Sequence, residues 1–277
     1  MKICPEITLI RAEKNRLRNL RKKNMKTIIY LATFIFLCMS GLLAQEEEKK
    51  TNFDWTATAV SRYVWRGYHL SHKDPVLLSY INYATPVSGL TLSGGIIFGL
   101  INKASIGDDR SDIDEFDLSL MYEYKVLPEN MSVIAALQYY RYTSQWTKGY
   151  YADKKDIEAS VEAWYSIADE FTPMIRYFRG MDNQIKGNYF EGGFYSEFEL
   201  IENALSLNPT AYAGYSMQYE FRSDPAFSNI TMEIPLTYKK NALTCGASFN
   251  FSKPLKKIMN GSDKTIYYLG ISAAYKF

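Results

Sequence analysis

The last eleven residues, Tyr267-Tyr268-Leu269-Gly270-Ile271-Ser272-Ala273-Ala274-Tyr275-Lys276-Phe277, decide the fold. One side of this stretch reads Tyr267, Leu269, Ile271, Ala273, Tyr275 and Phe277, and the other reads Tyr268, Gly270, Ser272, Ala274 and Lys276. A side-chain period of two puts every large apolar group but one tyrosine on a single face, which is the pattern of a strand with one apolar and one polar side. The rhythm recurs upstream. Phe116, Leu118, Leu120, Tyr122 and Tyr124 oppose Glu115, Asp117, Ser119, Met121 and Glu123. Ile157, Ala159, Val161, Ala163 and Tyr165 oppose Glu158, Ser160, Glu162 and Trp164, and Ile230 to Tyr238 alternate in the same way with Thr231 to Lys239. No helical period competes, so the chain is predicted to be all-β.

Runs of this kind begin near Phe53, Val76, Leu90, Ile113, Met131, Asp156, Phe171, Tyr189, Leu205, Asn229, Leu243 and Thr265, which predicts about 12 strands. Their connectors alternate in length. Long ones span 66–75, 101–112, 143–155, 181–188, 221–228 and 253–264, and short ones span 86–89, 126–130, 167–170, 202–204 and 240–242. A soluble sandwich has no reason to collect its long loops at one end, whereas a transmembrane antiparallel up-and-down β-barrel with both termini in the periplasm does. An open sheet edge in lipid would leave backbone groups without partners at several kcal/mol each, so such a sheet must close. Tyrosine and tryptophan, abundant here with 23 Tyr and 4 Trp, then have a place in the interfacial girdles.

The N-terminus has a different character. Residues 1–44 carry nine Lys/Arg against two Asp/Glu and contain the one long apolar run, Ile28 to Leu43, at 16 residues too short for a bilayer span of roughly 20. With Met25-Lys26 before the run and Leu42-Leu43-Ala44 after it, this segment reads as a secretory signal peptide cleaved near Ala44, with translation starting at Met1 or Met25. Residues 45–52 form a short charged periplasmic spacer and 53–277 the barrel. The formal net charge of +2 becomes −5 once residues 1–44 are removed, leaving 23 basic and 28 acidic side chains, which speaks against a nucleic-acid partner. Cys245 alone of three cysteines survives, so no internal disulfide can form, and two histidines leave little for zinc or thiol chemistry. No cofactor or metal is expected.

If the apolar face meets lipid, the other lines the lumen. Its predicted acidic members are Asp54, Glu115, Asp117, Glu123, Glu158, Glu162, Glu191, Glu197, Glu199 and Glu233, and its basic members Arg62, Arg66, Arg176, Lys239 and Lys276. Buried charges must be paired or wet, so this set implies either a narrow water-filled pore with a weak preference for cations or a dense ion-pair network that plugs the interior. The predicted function is passive diffusion of small hydrophilic solutes across the outer membrane of a Gram-negative-type bacterium. Two alternatives remain: a plugged structural or surface-interaction barrel, and a lipid hydrolase using Ser71 with His69 or His72. Asp108, Asp109, Asp112 and Asp114 read as a solvated acidic loop, with calcium as the alternative. Trp146, Lys148, Tyr150 and Tyr151 read equally as a rim loop or an inward constriction.

Two motifs carry resemblances. The alternation ending in Ile271, Tyr275 and Phe277 is similar to the C-terminal signal read by the barrel assembly machinery, which implies that machinery and outer-membrane lipids as partners. Ser61, Tyr63, Arg66 and Gly67, within Val60-Ser61-Arg62-Tyr63-Val64-Trp65-Arg66-Gly67-Tyr68-His69-Leu70-Ser71 and followed by Pro75-Val76, resemble the first strand and loop of the TorF-like porin family. That resemblance covers about 16 residues and implies a barrel porin with no assigned solute. In physical terms Gly67 is predicted to permit a sharp exit from the first strand. Arg62 and Arg66, four apart on one face, are predicted either to line the pore near its outer mouth or to pair with lumen carboxylates.

Overall fold

A computed structural model describes residues 52–277 apart from 72–73, 101–113, 127–129, 143–153, 169, 182–185, 219–224 and 256–263. The expected signal peptide and most of the spacer, the Asp108 and Trp146 loops and the His72 side chain lie outside the described residues. The strands in chain order are β1 (Phe53–Val60), β2 (Val64–Trp65), β3 (Tyr68–His69), β4 (Val76–Ala84), β5 (Leu90–Gly99), β6 (Asp114–Val126), β7 (Met131–Tyr142), β8 (Lys154–Tyr165), β9 (Thr172–Gly180), β10 (Gly187–Tyr195), β11 (Phe198–Ile201), β12 (Leu205–Leu207), β13 (Thr210–Met217), β14 (Ala226–Lys240), β15 (Leu243–Pro254) and β16 (Ile266–Lys276). Twelve staves result, because β10 and β11 form one stave broken at Ser196 and Glu197, β12 and β13 form another broken at Asn208 and Pro209, and β2 and β3 form a separate hairpin.

All neighbouring staves pair antiparallel, and β1 pairs with both β4 and β16, so the sheet closes on itself. Closure runs to the last residue: the Phe277 amide donates to the Phe53 carbonyl at 3.0 Å, and the rings of Tyr275 and Phe277 meet edge to face at 5.1 Å. The strand rhythm of the sequence survives nearly intact, with β1, β4, β5, β7, β12 and β15 starting at the residues read from the pattern. The two broken staves do not follow from it. Pro209 has no amide to give to a ladder, and the chain resumes its pairing only at Thr210, opposite Glu233.

The outer face is built as three bands. Ile96, Leu118, Leu120, Leu137, Val161, Ile175 and Leu269 are exposed and form an aliphatic belt. On the short-turn side of it lie Tyr122, Tyr124, Tyr165 and Tyr238, the stacked pair Phe53 and Tyr83 at 4.6 Å and the pair Phe171 and Phe194 at 5.5 Å. On the long-loop side lie Tyr177 with Phe190 at 4.9 Å, Tyr215 with Phe227 at 5.2 Å and Phe249 with Tyr267 at 6.2 Å. Aromatic rings flanking an aliphatic belt match the two interfaces and the core of a bilayer. Among the described residues no helix is long and apolar enough to cross a membrane, and the strands supply the apolar surface.

Candidate functional site

The inner wall is polar, and one loop fills its upper part. After β1 ends at Val60, the chain turns into the barrel as the hairpin β2–β3, in which Val64 pairs with His69 and Trp65 with Tyr68, and the Leu70 amide donates to the Tyr63 carbonyl at 2.8 Å. Arg66 and Gly67 at its tip have φ of 49° and 82°, the two positive values that a two-residue type I′ hairpin needs and that Asn-Gly normally provides. Holding an arginine there costs about 1–2 kcal/mol, so the side chain must be compensated elsewhere.

Compensation comes from the far wall. The base of the hairpin packs on its own side, where Tyr63 and Leu70 lie against Val76 of β4 and Ile97 of β5. The tip crosses the lumen. Arg66 Nη1 and Nη2 donate to Glu158 Oε2 and Oε1 of β8 at 2.6 and 2.9 Å, a bidentate pair in which the glutamate side chain is 0% exposed. The guanidinium carbon lies 4.0 Å from the ring centre of Phe178 on β9, 4.8 Å from that of Tyr189 on β10 and 4.6 Å from that of Trp65. A fork-to-fork ion pair stacked on three rings satisfies a buried cation as fully as a protein can. Gly67 touches a third place on that wall: a β-carbon added there would lie 2.7 Å from Cβ of Asn229, so only glycine fits.

Asn229 is held by its own network. The Tyr189 hydroxyl donates to Asn229 Oδ1 at 2.8 Å, Asn229 Nδ2 donates to Thr231 Oγ1 at 2.8 Å, and the Thr231 hydroxyl meets that of Ser252 at 2.9 Å. Ser228 joins because β14 is irregular here, with Gly214 opposite Asn229 but Tyr215 opposite Phe227. This bulge leaves Ser228 without an opposite number and turns it inward beside Asn229, where its hydroxyl lies 3.2 Å from the Tyr189 oxygen.

Next to the hairpin runs an acidic wall. Register rows across β6, β7 and β8 set Asp117, Tyr140 and Asp156 side by side, then Ser119, Gln138 and Glu158. Tyr80 of β4 donates to Asp117 Oδ2 at 2.8 Å, Glu115 is buried two residues away, and the Tyr140 hydroxyl lies against Gln138 and, at 3.4 Å, Glu158. Another row sets Glu162, Arg176 and Glu191 in line, with Arg176 Nε 2.9 Å from Glu191 Oε2 and its guanidinium over the Tyr212 ring at 4.8 Å. Glu233 lies opposite Thr210 and Asn250 on the same inward parity. Asp54, at the short-turn end, accepts from Asn82 Nδ2 at 2.6 Å. Glu123, Lys239 and Lys276 share that parity there and are exposed, as is Glu199 opposite Ser206. Glu197 sits in the break between β10 and β11, exposed, and takes a hydrogen bond from the Tyr195 hydroxyl at 3.2 Å.

Of the two readings of Arg66, pairing with a lumen carboxylate is the one observed, while the expected placements of Gly67 and of the Arg62–Arg66 pair differ. Gly67 does not form the exit from the first strand but the tip of a hairpin deep in the lumen. Arg62 and Arg66 do not share a strand face, because β1 ends at Val60 and Arg66 sits in a turn. Asp156 was absent from the expected lumen set although it lies two residues before Glu158 and so on the same face. Tyr189 and Asn229 likewise share the parity of Glu191 and of Thr231 and Glu233, whereas the inward placement of Tyr63, in a loop, follows from no strand alternation. Ser71 is buried, and its hydroxyl accepts from the Tyr63 amide at 2.8 Å.

The architecture has solved counterparts. The barrel is similar to outer-membrane porins. The KdgM porin and the NanC porin each superpose with a TM-score of 0.53 at 10% identity, over 81% of this chain and 99% and 100% of theirs. An outer-membrane channel from Pseudomonas putida F1 gives 0.52 at 8% identity, over 84% of this chain and 100% of its own. At such identities the likeness is one of fold. Neither a family model nor a curated protein sequence matches the chain.

Proposed function

We propose that this chain is an integral outer-membrane channel for small hydrophilic solutes, with its long loops outside, its short turns in the periplasm and the β2–β3 hairpin as its constriction. The observation that carries the reading is the gradient along the inner wall. Charged and hydroxyl side chains are buried against the hairpin at the long-loop end and exposed toward the short turns, as at Glu123, Lys239, Ser272 and Lys276. An interior kept polar and open over half its length is suited to water and solute, whereas a purely structural barrel of this size has no use for it. The three-band outer face supports the membrane location, and the Ser61 to Gly67 pattern supports a relationship to the TorF-like porins.

Selectivity is proposed to favour cations weakly. Carboxylates outnumber cations on the inner wall, and Arg66 is neutralised by Glu158 where the hairpin reaches across the lumen. An acid-rich inner wall is suited to cationic solutes. A non-enzymatic role is favoured because the Ser71 hydroxyl is engaged as an acceptor in the loop backbone. Purified protein in planar bilayers should give small single-channel steps, with reversal potentials in asymmetric salt on the cation side. A correctly folded barrel that never conducts, even with the hairpin destabilised, would replace this reading with the plugged structural barrel.

A further inference from the structure

Arg66 occupies a receptor that does not depend on the hairpin. Glu158, Phe178 and Tyr189 come from three adjacent staves of the wall, and Tyr140 adds its hydroxyl at the carboxylate edge. Together they offer a carboxylate fork at 2.6 and 2.9 Å and two ring faces at 4.0 and 4.8 Å to one flat cation. A lysine would serve as a mere latch, but it is a point charge and could use neither the fork nor the flat stacking. The turn adds an independent sign. At the first central position of a type I′ hairpin, where Asn, Asp or Gly is usual, the chain carries an arginine at φ 49°, as though the position were held for its side chain.

From this geometry we propose that the Glu158–Phe178–Tyr189 cage is a solute-binding site for planar guanidinium or amidinium cations, and that Arg66 is its built-in stand-in. The proposal rests on the channel reading above and names the solute class of that channel. A guanidinium-bearing solute competes with Arg66 for the cage. When it wins, the hairpin tip loses its anchor on the far wall and the constriction opens; when the solute leaves, the tip re-enters the cage. Opening therefore needs differential affinity, since a ligand that bound the closed and open lumen equally would shift nothing. Competition for a single seat supplies that difference. The buried carboxylate keeps a cation at every stage, which avoids an unpaired charge in the wall.

The test uses the purified, folded full chain, with guanidinium chloride as probe at about 1–20 mM, well below denaturing levels, and tetramethylammonium chloride at equal ionic strength as control. Guanidinium should raise the open probability of wild-type channels in bilayers several-fold and perturb the emission of Trp65, with that optical response lost in Trp65→Phe. Arg66→Ala, which vacates the cage, should bind guanidinium at least tenfold more tightly than wild type by calorimetry, and adding Glu158→Gln should abolish that binding. Folded Arg66→Ala that binds guanidinium no better than tetramethylammonium would overturn the site while leaving the channel reading intact. Guanidinium binding with no conductance in any variant would uphold the site and remove the channel. If Arg66→Ala does not fold, the wild-type titrations decide alone: no guanidinium-specific change in either conductance or emission sinks the proposal.

Discussion

The two halves of the lumen share one wall and one alternation, yet they are different environments. In the half under the long loops, Asp156, Glu158, Asn229 and Ser252 are each 0% exposed, and Glu158 and Asn229 lie directly against the hairpin tip. In the half above the short turns, Glu123, Lys239 and Lys276 face the same interior and stay exposed. Strand parity decides only that a residue points inward. Whether its charge must be paired depends on what crosses the lumen at that level, and the short β2–β3 hairpin settles the matter for half the barrel.

The largest effect should come from removing the partner that anchors the hairpin. Glu158→Gln leaves a buried guanidinium without its carboxylate, a loss of about 3–5 kcal/mol, and because 1.4 kcal/mol is already a factor of about ten, single-channel open time should rise by more than that. Unchanged open time would show that the hairpin does not separate the two halves. Next in size is deletion of Phe277, which removes the hydrogen bond from its amide to the Phe53 carbonyl that ties the last residue to the first strand. Folded yield in cells should fall several-fold, read by heat-modifiable gel migration, while each barrel that does fold conducts as before. A change in conductance per folded barrel would mean that closure at the short-turn end and the hairpin seat are not independent.

Gly67→Ala should act more mildly. A β-carbon 2.7 Å from that of Asn229, at a φ of 82°, costs about 1–3 kcal/mol and lifts the tip without removing its ion pair. Brief openings, intermediate between wild type and Glu158→Gln in frequency, are the expected record; a fully open channel would mean that the glycine contact and not the ion pair seats the tip. The smallest effect belongs to the open half. Neutralising Glu123 and Glu199 should move the reversal potential toward anions by a few millivolts at 0.1 M salt, where the Debye length is about 10 Å, and by almost nothing at 1 M, where it is about 3 Å. An equal shift at both salt concentrations would place those carboxylates in a dry environment and erase the contrast between the halves.

Much of the wall was legible because a barrel stave is a local object. Leu118 and Glu115 declare their faces within a few residues, and loop lengths alternate for a reason that needs no three-dimensional information. The inward parity of Glu158 is legible for the same reason, and Asp156, two residues before it, shares that face. The occupant of the lumen was not legible. Arg66 meets Glu158 across 92 residues of chain, and nothing in either neighbourhood advertises the other. The hairpin was further concealed because its turn carries Arg-Gly in place of Asn-Gly, so the usual signal for a two-residue connection is missing. Ser228 escaped for a third reason: a bulge breaks the period of two, and strict alternation assigns its side chain to the wrong face.

The ion pair at the hairpin tip also bears on the order of assembly. Arg66 belongs to the hairpin that follows β1, but its seat is composed of β8, β9 and β10, far along the chain. A contact of such long sequence separation requires a large loop to close before it yields anything, so the tip can dock only after most of the staves stand side by side. The hairpin therefore gains its anchor as a consequence of the wall being completed. A seated tip is thus a record, kept inside the barrel, that the far wall has formed.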